Sequence, residues 1–173
     1  MPRVLKDEEI AQLLIEEKPL PEGWEGKLVA RAKQNGSFRQ RELPVPGVSG
    51  RVFRVVIRQA INNADDFSII LVCQDADGTA HRLSRFNGRH PSDHTNKIEK
   101  REGKPNASFR NIYHIHRATE RYQLAGLEID GYAEPTTVYN SFDSALRTFL
   151  DFYKFTRPSA KLPLLDPLGG GQP

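Results

Sequence analysis

The sequence predicts an α+β fold: an antiparallel β-sheet meander of about five to six strands with an N-terminal and a C-terminal helix packed on it. Three observations predict it. Asn35-Gly36 and Asp77-Gly78 are hairpin signals, because such pairs tolerate positive φ. The segments around them either alternate apolar and polar residues or run continuously apolar, as half-buried and central strands do. One segment of helical spacing lies near each end of the chain. The length of 173 residues suits one domain with a real core over 1–157. The Pro/Gly-rich tail 158–173, ending PLGGGQP, is expected to be disordered.

The first helix is expected over Asp7–Glu17, where Ile10, Leu13, Leu14 and Glu17 recur at helical spacing. Asp7, Glu8 and Glu9 suit its positive N-terminal end, and Pro19 and Pro21 stop it. Trp24 follows as an anchor against the sheet. Lys27–Gln34 and Ser37–Val45 form the arms of a hairpin about Asn35-Gly36. Pro44, Pro46, Gly47 and Gly50 make a break. Arg51–Ile61 then places Phe53, Val55 and Ile57 on one face, with Arg54 and Arg58 on the other. Phe67–Gln74 is apolar and β-branched enough for a central strand buried on both faces. Asp77-Gly78 leads into a strand at His81–Phe86.

Asn87–Asn106 is polar and reads as a partly mobile loop. Phe109–His116 reads as a further strand, and ATERYQLAG fits either extended chain or helix. Asn140 or Ser141 caps a helix over Phe142–Phe155, whose broad apolar face holds Phe142, Ala145, Leu146, Phe149, Leu150, Phe152 and Tyr153.

Composition excludes several classes. The single cysteine, Cys73, rules out an internal disulfide framework and a cysteine-based zinc site. Its place in SIILVC marks it as a buried thiol. No run approaches the roughly 18–20 apolar residues of a membrane helix, and the amphipathic N-terminus lacks the apolar stretch of a secretory signal. A cytoplasmic setting without membrane contact is expected. P-loop, GxSxG, HExxH and GxGxxG motifs are absent.

Charge and imidazole are concentrated in one window. All five histidines (His81, His90, His94, His114 and His116) lie within 36 residues, and ten of the 25 basic residues but only four of the 22 acids fall between His81 and Arg121. Imidazole exchanges protons near neutral pH, so the window suggests a site for an anionic, phosphate-bearing partner. On a strand, His114 and His116 share one face, roughly 6–7 Å apart; Glu120 follows, bracketed by Arg117 and Arg121.

Three chemistries fit this set. Metal-free cleavage of RNA needs a base for the 2′-OH, an acid for the leaving 5′-oxygen and cations beside the transition state. His114, His116, Glu120 and Arg117 are the candidate catalytic residues. Arg85, Asn87, Arg89, His90, His94, Lys97, Arg121 and Tyr122 are the candidate nucleic-acid contacts, with Tyr113 and Tyr122 available for stacking. The backbone of Asn87-Gly88 offers an anion-binding turn. The second option is a non-catalytic module for nucleic acid or an acidic protein partner. The mixed charges of Lys97–Lys104 favour a solvated loop there, and Glu128, Asp130 and Glu134 form an acidic patch able to neutralise the basic one. The third is a histidine-ligated metal. The leading reading involves no cofactor, and prefers RNA to DNA.

Three resemblances follow from these residues. His114, His116 and Glu120 with Gly126 resemble the first half of the cupin metal motif, but no histidine follows to complete it. The helix-then-sheet arrangement resembles, in architecture alone, the small toxin ribonucleases of the RelE and barnase type, which implies a toxin or defence role. The run from Asn87 through His94 to HIHRATERY, then YAEPT and SALRTFLDF, looks like an uncharacterised family of small prokaryotic proteins. That resemblance covers about residues 50–155 and implies a prokaryotic or phage source with a site around these histidines.

Overall fold

A computed structural model describes residues 3–29 and 33–158; the tail from residue 159 lies outside them. The elements run α1 (Asp7–Ile15), β1 (Lys18–Pro19), α2 (Trp24–Val29), β2 (Lys33–Asn35), β3 (Phe38–Pro46), β4 (Val52–Ala60), β5 (Phe67–Gln74), β6 (Ala80–Asn87), β7 (Asp93–Thr95), α3 (Lys97–Arg101), β8 (Ser108–Arg110), β9 (His114–Arg117), α4 (Glu120–Leu124), β10 (Tyr132–Pro135), α5 (Phe142–Phe152) and β11 (Phe155–Thr156). The α+β class and its antiparallel sheet are as expected. The sheet has seven strands in the order β10-β9-β6-β5-β4-β3-β2.

Alternation along the strands gives the sheet two different faces. Phe53, Val55 and Ile57 of β4, Phe67, Ile69, Leu71 and Cys73 of β5, and Phe86 of β6 join the main core, which also holds Ile10 and Leu13 of α1 and Ala145, Phe149 and Leu150 of α5. The other face carries Arg54, Val56 and Arg58 of β4, Ser68, Ile70 and Val72 of β5, and Arg85 and Asn87 of β6. Only Val56, Ile70 and Val72 form a small apolar cluster there. α1 and α5 cover the apolar face, and the opposite face is left for chemistry.

Several expected elements change in detail. Lys27–Gln34 is not one strand: α2 occupies Trp24–Val29, and among the described residues the hairpin arm is Lys33–Asn35. Asn35 pairs with Phe38, so the turn is Gly36-Ser37, with the positive φ on Gly36. Phe109–His116 is split into β8 and β9, because Asn111 adopts φ 53 and takes the chain out of the strand. Asn87–Asn106, read as a loop, carries β7 and α3; β7 and β8 pair as a separate two-stranded ribbon. Ser141 is the N-cap of α5 and forms a capping box with Ser144.

A parallel ribbon of β1 and β11 ties the two ends of the described chain together. At its centre Lys18 is fully buried, with Nζ 2.6–3.2 Å from the carbonyl oxygens of Leu13, Leu14, Glu16 and Tyr153 and 4.5 Å from the centre of the Phe53 ring. Burial pulls its ammonium down to about 8, yet it caps the last carbonyls of α1 and one near the end of α5. Among the described residues no helix is long and apolar enough to cross a membrane. Lys18→Met strands these carbonyls in the core, and a loss of about 2 kcal/mol or more is expected in urea unfolding; unchanged stability would show that the ammonium is dispensable.

Candidate functional site

The open face of the sheet holds a cleft of about 420 Å³ lined by His90, His94, His114 and His116 together with Arg58, Arg85 and Asn87. Strand register places its floor. Asn87 lies opposite His114, and Arg85 opposite His116, across the β6–β9 pair, so all four side chains share one face. His90 and His94 arrive from the chain that leaves β6. Ring centres are 4.6 Å apart for His94 and His116, 5.1 Å for His114 and His116, and 5.7 Å for His94–His114 and His90–His114. Four of the five histidines therefore converge.

Two local devices bring His90 and His94 there. Gly88 passes so close to the Asp65 backbone that a Cβ would lie 1.9 Å from the Asp65 carbonyl oxygen. This approach sets His90 against Asp66, whose carboxylate accepts its Nδ1–H. The Gly88 N–H donates to Phe67, so it is not a free anion-binding donor as the Asn-Gly signal suggested. The second device is Asn96, which is buried. Its Nδ2 donates to the Ala133 carbonyl and its Oδ1 accepts the Ala133 N–H, both at 2.8 Å. The side-chain amide thus pairs with the outer edge of β10 as another strand would, and folds β7, α3 and β8 over the open face. Oδ1 also accepts His94 Nε2–H at 2.9 Å.

These partners fix the tautomers. His114 donates Nδ1–H to the Ile112 carbonyl at 2.7 Å, and its Nε2 accepts from Asn87 Nδ2 at 3.0 Å. His116 donates Nδ1–H to the Asp130 carbonyl at 2.8 Å. The Arg85 guanidinium lies 3.1 Å from that same nitrogen, which cannot accept while it donates. Burial pulls His114 down to about 4. Burial, then the charge of Arg85, pulls His116 to about 2, and burial also lowers His94. These three rings are neutral at physiological pH.

The basic window is largely neutralised from within. Arg85 and Arg82 each lie 3.3 Å from a carboxylate oxygen of the fully buried Asp130, and Arg82 also pairs with Glu128. Arg89 pairs with Asp65, Arg110 with Asp93, and Arg121 with Glu99. The acidic patch weighed in the sequence thus meets the basic strand. Arg58, stacked 4.9 Å from the centre of the Phe38 ring, is in no ion pair among the described residues.

Of the sequence candidates, the cleft brings together His114, His116, Arg85, Asn87, His90 and His94. Glu120 is not there: its carboxylate pairs with Lys6, near α1. Arg117 points to the opposite face, since β9 alternates. Tyr122 is buried, with its hydroxyl donating to Glu99 at 2.6 Å, and is closed to base stacking. Lys97 and Tyr122 border a neighbouring depression shared with His94 and His116. Arg89 stacks on Tyr113, and His81 pairs with Asp75. Asp66 and Asn96 were missed because their contacts are long-range; Arg58 was legible only as an outward position on β4.

No group of three or more His, Cys, Asp or Glu side chains among the described residues is arranged to hold a metal ion. No family model, curated protein or solved structure matches the chain. The fold and site define an α+β protein with a histidine-lined cleft on an open sheet face.

The depressed histidines give a signed pH dependence. Below about 6.5 the unfolded chain takes up protons that folded His114 and His116 refuse, so stability is complete above that value and falls as pH drops from 6.5 toward 4. His116→Asn is expected to flatten the slope by about 1.4 kcal/mol per pH unit between pH 6 and 4.5. An unchanged slope in urea titrations would mean that His116 protonates normally in the fold.

Proposed function

We propose that the chain binds single-stranded RNA across the open face of its sheet and cleaves it in the histidine cleft without a metal. The observation that carries this reading is the convergence of His90, His94, His114 and His116 from separate segments on one cleft bordered by Arg58. His90 is the group suited to proton transfer: Asp66 holds its Nδ1–H, which directs Nε2 to act as base toward a 2′-hydroxyl. Arg58 supplies positive charge beside the phosphate. Phe38, which lines the cleft, offers a surface on which a base stacks.

The roles differ from those read in the sequence. His114 and His116 are held neutral and are poor sources of a proton, so the leaving 5′-oxygen takes its proton from water or from His90 once protonated. Such an enzyme is slow. A second reading, a non-catalytic module for nucleic acid or an acidic protein segment, is favoured by the same neutrality and by the internal pairing of most cations in the window.

Incubation of the purified protein with mixed-sequence single-stranded RNA in EDTA separates the two. Cleavage is expected, falling about 100-fold or more in His90→Ala and less in Asp66→Asn, with RNA binding retained in both. Binding without cleavage in the wild type favours the module; neither binding nor cleavage overturns the RNA reading.

A further inference from the structure

The fixed tautomers determine what the cleft floor offers a ligand. His94 donates through Nε2, which leaves Nδ1 as a lone pair; His116 donates through Nδ1, which leaves Nε2 as a lone pair. Among the described residues neither lone pair has a hydrogen-bond partner. Asn87 is 2 % exposed and gives its Nδ2 to His114, while its Oδ1 is buried and unpartnered. Three acceptors without donors thus border one cleft, and the buried one, Asn87 Oδ1, is costly to leave unmade. A phosphate brings only more acceptors, so it does not satisfy this floor.

We propose that the cleft floor recognises a nucleobase edge rich in N–H donors, guanine above the others, with Asn87 Oδ1, His94 Nδ1 and His116 Nε2 as the acceptors that read it. The inference rests on the reading that the chain engages RNA, and it names the base that the site selects. Guanine carries three N–H bonds along one edge, at N1 and the exocyclic N2. Uracil offers one at N3, and adenine and cytosine offer only an exocyclic amine. A cleft of about 420 Å³ has room for a nucleotide. Phe38 lines the cleft as its aromatic side, and Arg58 stacked on it lies on the same cleft for the attached phosphate. Phosphate contacts would then position the strand, while the floor specifies the base.

The test is calorimetric titration of the full chain with guanosine, inosine and uridine 5′-monophosphates, beside a gel-shift assay with single-stranded RNA. Guanosine monophosphate should bind about tenfold or more tightly than inosine monophosphate, which lacks the exocyclic amine, and uridine monophosphate should bind more weakly still. His94→Phe keeps a ring in place and removes the lone pair, and should bring the guanosine-to-inosine ratio toward one. The nucleotide series on the unmodified protein decides the matter even if that variant does not fold. Equal affinity for the three nucleotides overturns the inference. So does failure of all three to bind while RNA is still shifted, which leaves the RNA reading standing. Failure of RNA and nucleotides alike brings down both. Stoichiometric uptake of Zn²⁺ that blocks guanosine monophosphate would assign the lone pairs to a metal instead, and would also overturn it.

Discussion

The site depends on one polar contact: the side-chain amide of Asn96 pairing with both backbone groups of Ala133. A strand at the edge of a sheet exposes donors and acceptors that must be satisfied or covered. Here a single asparagine does so, and in the same act holds the β7–α3–β8 segment across the open face. His94 donates to the oxygen that accepts Ala133 N–H, so ring orientation, flap position and sheet edge are set together. Glu99, buried beside Tyr122 and Arg121, strengthens the same corner. This explains how a segment poor in apolar residues is ordered at all: its anchoring is by hydrogen bonds rather than by burial of hydrocarbon.

Burial then decides the chemistry. Placing His114 and His116 side by side under a folded-over ribbon removes the water that would stabilise imidazolium, and Arg85 adds an adverse charge. The cost of burying Asp130 is offset by Arg82 and Arg85 on either side of it. The outcome is a floor of neutral acceptors beside the hydrogen-bonded His90–Asp66 pair, an arrangement that a count of basic residues would not suggest.

The fold was legible where period and turn chemistry act locally. The alternation of Phe53, Val55 and Ile57, the unbroken run Phe67–Gln74, and the spacing of Phe142 to Leu150 each depend on neighbours in sequence. Both strands form about where expected, while the helix expected to Phe155 ends at Phe152 because Phe155 pairs in β11. Lys27–Gln34 and Phe109–His116 were misread because the helix Trp24–Val29 and the positive φ of Asn111 override the side-chain pattern. At the site, the pairing of His114 and His116 on one face follows from strand geometry alone. The partner of His90 does not: Asp66 is 24 residues away and reaches it only through the close approach at Gly88. Glu120, by contrast, was suggested by sequence spacing, yet the start of a new helix after Thr119 turns it toward Lys6. Local spacing predicts faces, whereas tertiary contacts choose partners.

The central claim is that His94, His114 and His116 are neutral rings of fixed tautomer, with the lone pairs of His94 and His116 left without a protein donor among the described residues. Long-range ¹H–¹⁵N correlation spectra of the uniformly labelled protein across pH 7 to 5 test it most directly. The account predicts Nδ1–H tautomers for His114 and His116 and an Nε2–H tautomer for His94, with His114 and His116 still unprotonated at pH 5. Imidazolium signals from His114 or His116 above pH 6, or the opposite tautomers, would contradict it.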